Sequence, residues 1–459
     1  MATKIAGHHG RRWVSRPAPR VASAAAGEHE EAGYAVIAVG TFVVLASTLL
    51  SPGIEAITQH FEQSGSGQGG ALSGLFGGAW GGSLGSPDLL AKMMVTMPAV
   101  VVALVAPFGG WLLDRIGRRS VLLAGVVIYG LGGAAGGLLS SPLAMLGSRV
   151  VFGLGVAAIL LSTTTLIGDY FDGRERRQML GWQIAAISVV STVGMFLAAW
   201  LVSFSWRWPF AVYAVVLLLL PWAWGTIDEP SEAEKSGPSD AADEADEADE
   251  ADADDEGESS VPWHTVGLIY AASFFALVVF HLATTQIPGY LDELGYGSPY
   301  ATAAIVSIIG LVGVPSSILF DKARDRFDNQ LILVGVFGLG AVGFAIAGAY
   351  QSIWTLCVGL VVFGLLYGMR TPAFNAWLLN VAPPEYRGRL VGGLTAATFF
   401  GIFASPLLSN PLKEAVGMPA VILVAAVLQA VFAVAFAYFA VWKPSREGAD
   451  DPNDSDDAE

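Results

Sequence analysis

The chain of 459 residues combines 54% hydrophobic with only 14% charged residues, a mean hydropathy of +0.57 and a formal net charge of −16. That pairing excludes an ordinary soluble enzyme or a nucleic-acid-binding protein and indicates a polytopic membrane protein. The acidity is local: residues 228–258 hold sixteen acids and one lysine, residues 447–459 hold seven acids and no base, and the remaining body is net +6. Such stretches suit a halophilic, high-salt cytoplasm, where carboxylates hold water, or a generic solvated linker; composition leaves both open. The single cysteine, Cys357, rules out an intrachain disulfide and argues against a thiolate metal cluster.

Residues 1–32 are polar and carry Lys4, Arg11, Arg12, Arg16 and Arg20, which fits a basic cytoplasmic tail. No apolar core follows Arg11-Arg12 closely enough for an export signal. A first span is expected from about residue 33 to 54, followed by a glycine- and serine-rich loop over 61–86. The loop's Gly81-Gly82-Ser83-Leu84-Gly85 fits a nucleophile-elbow pattern but lacks the strand and helix that such an elbow needs. The second span (about 89–110) runs into Gly109-Gly110-Trp111-Leu112-Leu113-Asp114-Arg115-Ile116-Gly117-Arg118-Arg119, a charged hairpin before the third span (about 119–140). Gly117 is placed for a turn with positive φ, Asp114 for bonds to nearby backbone N–H groups, and Arg115, Arg118 and Arg119 for one membrane face.

The pattern Gly-x-x-x-Asp-Arg-x-Gly-Arg-Arg, from Gly110 to Arg119, resembles the signature loop of the major facilitator superfamily between its second and third helices. The resemblance implies an all-α membrane protein with twelve transmembrane helices in two pseudosymmetric six-helix bundles. In the third span Gly132, Gly133, Gly136 and Gly137 form overlapping Gly-x-x-x-Gly pairs, which let helix backbones approach closely. The fourth span (about 142–167) carries Arg149, Gly153 and Gly155. Their Arg-x-x-x-Gly-x-Gly arrangement resembles the family's second motif, which implies a role in proton or substrate coupling; Arg149 near the span's outer end would also suit snorkelling. Asp169 and Arg176 lie in the next loop, and the resemblance implies an ion-pair cluster with the signature arginines that holds an inward gate closed. The fifth span (about 179–202) reads Gly194-Met195-Phe196-Leu197-Ala198-Ala199, a departure from the Gly-Pro-x-x-Gly-Gly of the family's drug antiporters.

After the sixth span, the Ala-Asp-Glu repeats of residues 242–251 predict a disordered linker, and the second half repeats the first. The seventh span (about 264–287) contains His281 and Gln286, and the eighth ends in a degenerate hairpin with Asp321 and Arg324. Spans nine (about 331–350), ten (352–380), eleven (389–410) and twelve (417–442) follow, with Arg370 and Asn375 in the tenth. Placing both termini inside puts nineteen Lys/Arg in inner segments and three outside, Lys92, Arg207 and Lys413.

The expected organisation is an N-terminal cytoplasmic tail (1–32), a first bundle (33–226), an acidic cytoplasmic linker (227–262), a second bundle (263–442) and an acidic cytoplasmic tail (443–459), in the plasma membrane. Intramembrane polar groups mark a pathway, so Arg149, His281, Gln286, Arg370 and Asn375, with Gly153 and Gly155, are the candidates for proton and substrate passage. No carboxylate falls mid-span, and the two arginines suit an anionic or polar neutral solute. The overall resemblance to the superfamily's drug-efflux branch implies transport of a small organic solute by alternating access, as proton-coupled efflux of the drug- or metabolite-exporter kind, with proton symport of an organic anion or sugar as the alternative. Partners are then the solute, protons and the lipid bilayer, with one chain acting as a monomer and no cofactor or metal. A phosphate-binding Gly-x-x-x-x-Gly-Lys-Ser/Thr loop, which an ATP-driven pump needs, is missing from the sequence.

Overall fold

The structure, a computed structural model, describes residues 19–63, 86–230 and 261–442. Most of the tails and linker expected at 1–32, 227–262 and 443–459, and Gly81–Gly85, lie outside these residues. Among the described residues, twelve helices are long and apolar enough to span a bilayer: α1 His29–Gln63, α2 Pro87–Ile116, α3 Arg118–Leu138, α4 Pro142–Tyr170, α5 Gly173–Val202, α6 Trp208–Thr226, α7 Trp263–Thr285, α8 Pro299–Ile318, α9 Asn329–Ala349, α10 Ile353–Val381, α11 Pro384–Val416 and α12 Met418–Val441. The helix leading into α1 starts at Pro19, well before the expected first span, because the intervening Ala-rich stretch favours helix.

The internal duplication shows in the caps. Ser86 before Pro87 and Ser298 before Pro299 each accept a hydrogen bond from a backbone N–H of the first turn, in α2 and in its counterpart α8. It shows again in the close helix pairs. A Cβ on Gly155 of α4 would lie 2.4 Å from the Tyr129 nitrogen of α3, and one on Gly359 of α10 would lie 2.4 Å from the Gly343 oxygen of α9. At such approach only glycine fits. The hairpins differ between halves. Gly117 turns the chain with φ 99°, whereas in the second half Phe320–Arg324 forms a short helix and, among the described residues, no residue between α8 and α9 has positive φ.

Several spans are broken along their length. α1 contains 3₁₀ turns at Phe42–Val44 and Ser51–Gly53, and α10 is interrupted at Gly368–Met369 between Ile353–Tyr367 and Arg370–Val381. One apolar core fills the first bundle around Phe152, Phe210 and Tyr213, and another fills the second around Phe337, Phe374 and Phe436. A third joins Met195 and Ala199 of α5 to Val279 of α7 and Ala303 of α8, so the bundles pack across this seam.

Candidate functional site

At the end of α2 opposite the signature hairpin, Lys92 is 1% exposed and tied into both bundles. Its Nζ donates to Asp88 Oδ2 at 2.6 Å, to Gln286 Oε1 at 2.7 Å and to Asn410 Oδ1 at 2.8 Å. An ammonium has three hydrogens, and three acceptors meet them. Asn410 Nδ2 donates back to Asp88 Oδ2 at 3.0 Å, and Gln286 Nε2 donates to Ser409 Oγ at 2.6 Å and to Asn410 Oδ1 at 3.0 Å. Nearby, Ser51 Oγ of α1 donates to the Thr284 carbonyl of α7 at 2.6 Å. A buried charge is tolerated only when its donors are satisfied, and here satisfaction requires both bundles to be together.

Below this closure lies a cavity of about 160 Å³ between α1 and α5 of one bundle and α7 and α8 of the other. Its polar lining is mostly hydroxyl: Ser47, Thr48, Ser188, Ser191, Thr192, Thr284 and Ser307, with His281 as the titratable group. Ser307 Oγ is buried without a hydrogen-bond partner, and the His281 ring lies 3.2 Å from the Leu277 carbonyl. The remaining wall includes Met195 and the Phe280 ring.

The candidates taken from sequence fall in different places. Gln286 belongs to the closure and His281 to the cavity wall. Arg149 is fully buried inside the first bundle and is not among the cavity-lining residues. Its guanidinium carbon sits 4.8 Å from the Phe152 ring centre, 5.0 Å from Phe210 and 5.4 Å from Tyr213, while Nη2 donates to the Gly133 carbonyl at 2.6 Å. This aromatic cage supports the break in α1: Tyr129 Oη donates to the Phe42 carbonyl at 2.6 Å and Tyr213 Oη to the Leu45 carbonyl at 3.3 Å. Snorkelling is excluded by that burial. Gly153 and Gly155 are contact glycines of α4 against α2 and α3. Arg370 is 7% exposed at the break in α10, and Asn375 is half-buried one turn further on.

At the hairpin, Arg118 pairs with Asp114 and with Asp169, both at 3.0 Å. Asp114 thus meets a guanidinium; the backbone N–H groups expected for it are taken by Glu229, whose carboxylate accepts from Arg118 N at 2.8 Å and Arg119 N at 2.9 Å. A carboxylate at a helix N-terminus is favoured by the unpaired N–H groups and the helix dipole. Arg119 also donates to the Trp224 carbonyl at 2.7 Å, Arg115 lies over the Trp111 ring, and Tyr170 Oη donates to the Asp228 carbonyl. Gly110 has open space around it, and Arg176 lies beside Gly168. Asp321 and Arg324 are exposed.

Sequence reasoning counted Lys92 among the outer cations, placed Asp88 near the outer end of its span without joining the two, and did not single out Asn410. An acid and a lysine four residues apart at the start of a span was the available signal for the Asp88–Lys92 pair.

The family model described as Major Facilitator Superfamily matches residues 36–347 and 325–456. The chain belongs to this superfamily. Among curated relatives, it is 27% identical to the bacillibactin exporter of Bacillus subtilis over 69% of this chain and 79% of that one. It is 24% identical to a gallate transporter of Pseudomonas putida over 70% of this chain and 76% of that one. Among solved structures, the human organic anion transporter MFSD10 superposes with a TM-score of 0.65 at 20% identity, covering 89% of this chain and 99% of that one. The transporter is therefore a twelve-helix, multi-pass membrane protein of this fold rather than an enzyme.

Proposed function

We propose that the chain exports a small organic solute across the plasma membrane by alternating access, driven by proton exchange. The observation that carries this reading is the cavity between the bundles, capped at one face by a hydrogen-bonded closure that no single bundle can make alone. Rocking of one bundle against the other would part Lys92 from Gln286 and Asn410 and open the cavity to that face. The excess of Lys and Arg at the hairpin face assigns that face, the linker and both termini to the cytoplasm, so the Lys92 closure is the outer gate. The domain limits proposed are those read from the sequence, with one chain working as a monomer because it holds both bundles. His281, lining the cavity, is the assigned proton carrier. Arg118, Asp114 and Asp169 are assigned to steadying the inner face.

The similarity to a bacillibactin exporter supports efflux. A second reading, proton symport of an organic anion or sugar, is favoured by the hydroxyl-lined cavity, which suits hydrogen-bonding solutes over lipophilic cations. Proteoliposomes with an imposed pH gradient separate the two. Antiport accumulates solute against the proton flow, symport accumulates it with that flow, and flux indifferent to the gradient and to a protonophore removes proton coupling.

A further inference from the structure

The interruption of α10 places two unsatisfied polar groups side by side. Arg370 is 7% exposed, its Nε is buried without an acceptor, and among the described residues no carboxylate pairs with it. Its hydrogen bond to a side chain goes from Nη2 to Thr371 Oγ1 at 2.9 Å. The guanidinium carbon lies 5.2 Å from the Tyr367 ring centre, and among the described residues the buried Tyr367 hydroxyl has no group other than this guanidinium to turn to. The Tyr367 ring stacks on Phe280, centres 4.7 Å apart at 9° between planes, and Phe280 is part of the cavity wall. Gly368, in the interruption itself, gives its N–H to Ser316 Oγ of α8 at 3.1 Å, so the break is braced from the neighbouring helix. Discontinuous spans with irregular backbone occur in transporters where they line a substrate site.

A buried cation without a counter-charge is costly, and a bound anion relieves that cost. Arg149 is not equivalent, because three aromatic rings and the Gly132 and Gly133 carbonyls enclose it within one bundle. Arg370 has one ring and one hydroxyl, and stands a single aromatic layer behind the cavity. We propose that, when the Tyr367–Phe280 stack parts, Arg370 and Tyr367 receive the carboxylate of a small aromatic acid whose ring takes the place of Tyr367 against Phe280 and whose polar substituents meet the cavity hydroxyls. The guanidinium offers paired N–H donors to a carboxylate, the tyrosine hydroxyl adds a third, and Phe280 offers a ring face. This inference rests on the transport reading and narrows it to one solute class.

The test uses the full chain in lipid vesicles, with 3,4-dihydroxybenzoate and its neutral carboxamide as probes, measured for binding and for uptake. The wild type should prefer the acid by about tenfold or more, the ratio expected from one charge-assisted bond. Arg370→Gln should abolish that preference while leaving the weak affinity for the amide in place, and Arg370→Lys should restore part of it. Tyr367→Phe should lower acid affinity several-fold. A structural role alone would weaken acid and amide together. Equal affinity for the two probes in the wild type, or a preference that survives in Arg370→Gln, overturns the proposal. Passage of a neutral sugar through the same vesicles in either case would show that the transport reading stands without it.

Discussion

Lys92→Met removes an ammonium while keeping a flexible side chain of similar reach. The Asp88 bond is within α2 and is available whether the bundles are together or apart, so its loss cancels between the two states. The bonds to Gln286 and Asn410 exist only when the bundles meet, and they set the difference. A hydrogen bond to a charged group contributes about 1.5–3 kcal/mol net, so losing two shifts the equilibrium by at least about 3 kcal/mol, or roughly a hundredfold. The Asn410–Asp88 and Ser51–Thr284 bonds remain, so the face should loosen without the protein unfolding. Spin labels at the exposed Glu62 and Glu414, in a Cys357→Ser background, report the separation of the bundles at this face. The substitution should move a large population to longer distances. A distance distribution identical to that of the parent would refute the assignment of Lys92 as the closure.

Glu229→Gln should cost about 1 kcal/mol, because an amide has one acceptor oxygen for two backbone N–H groups; faster amide exchange at Arg118 and Arg119 would register it. Gly155→Leu should abolish the yield of monodisperse protein on size exclusion, whereas Gly110→Ala, with nothing within 4 Å of the added carbon, should leave it unchanged. Tyr129→Phe leaves the Phe42 carbonyl of the α1 break with only the Leu45 N–H and should destabilise the fold by about 1 kcal/mol, read as a lower thermal midpoint in detergent.

The hairpin from Gly110 to Arg119 was readable because its chemistry is local: a glycine turn, an arginine and its acids lie within a short stretch or in the adjoining loop. The glycines of α3 were likewise legible as contact points, and a Cβ on Gly133 would meet Tyr213 at 2.4 Å. Lys92 was not legible as a buried group, since Gln286 and Asn410 lie 194 and 318 residues away and only folding reveals them. Sequence singled out Arg149 as an unusual charge within the fourth span. Its surroundings depend on Phe210 and Tyr213 from α6, which no local pattern connects to Arg149. The same holds for Arg370: its position in the tenth span was plain, but the stack of Tyr367 on Phe280 is a contact between helices seven and ten.

Alternating access through the Lys92 face is tested most directly by pinning that face shut. In a Cys357→Ser background, cysteines replacing Asp88 and Asn410, whose side chains meet at 3.0 Å, can be joined by a short reducible dithiol crosslinker. Solute flux through proteoliposomes should cease on crosslinking and return on reduction. Flux that continues through the crosslinked protein would contradict a pathway gated at this closure.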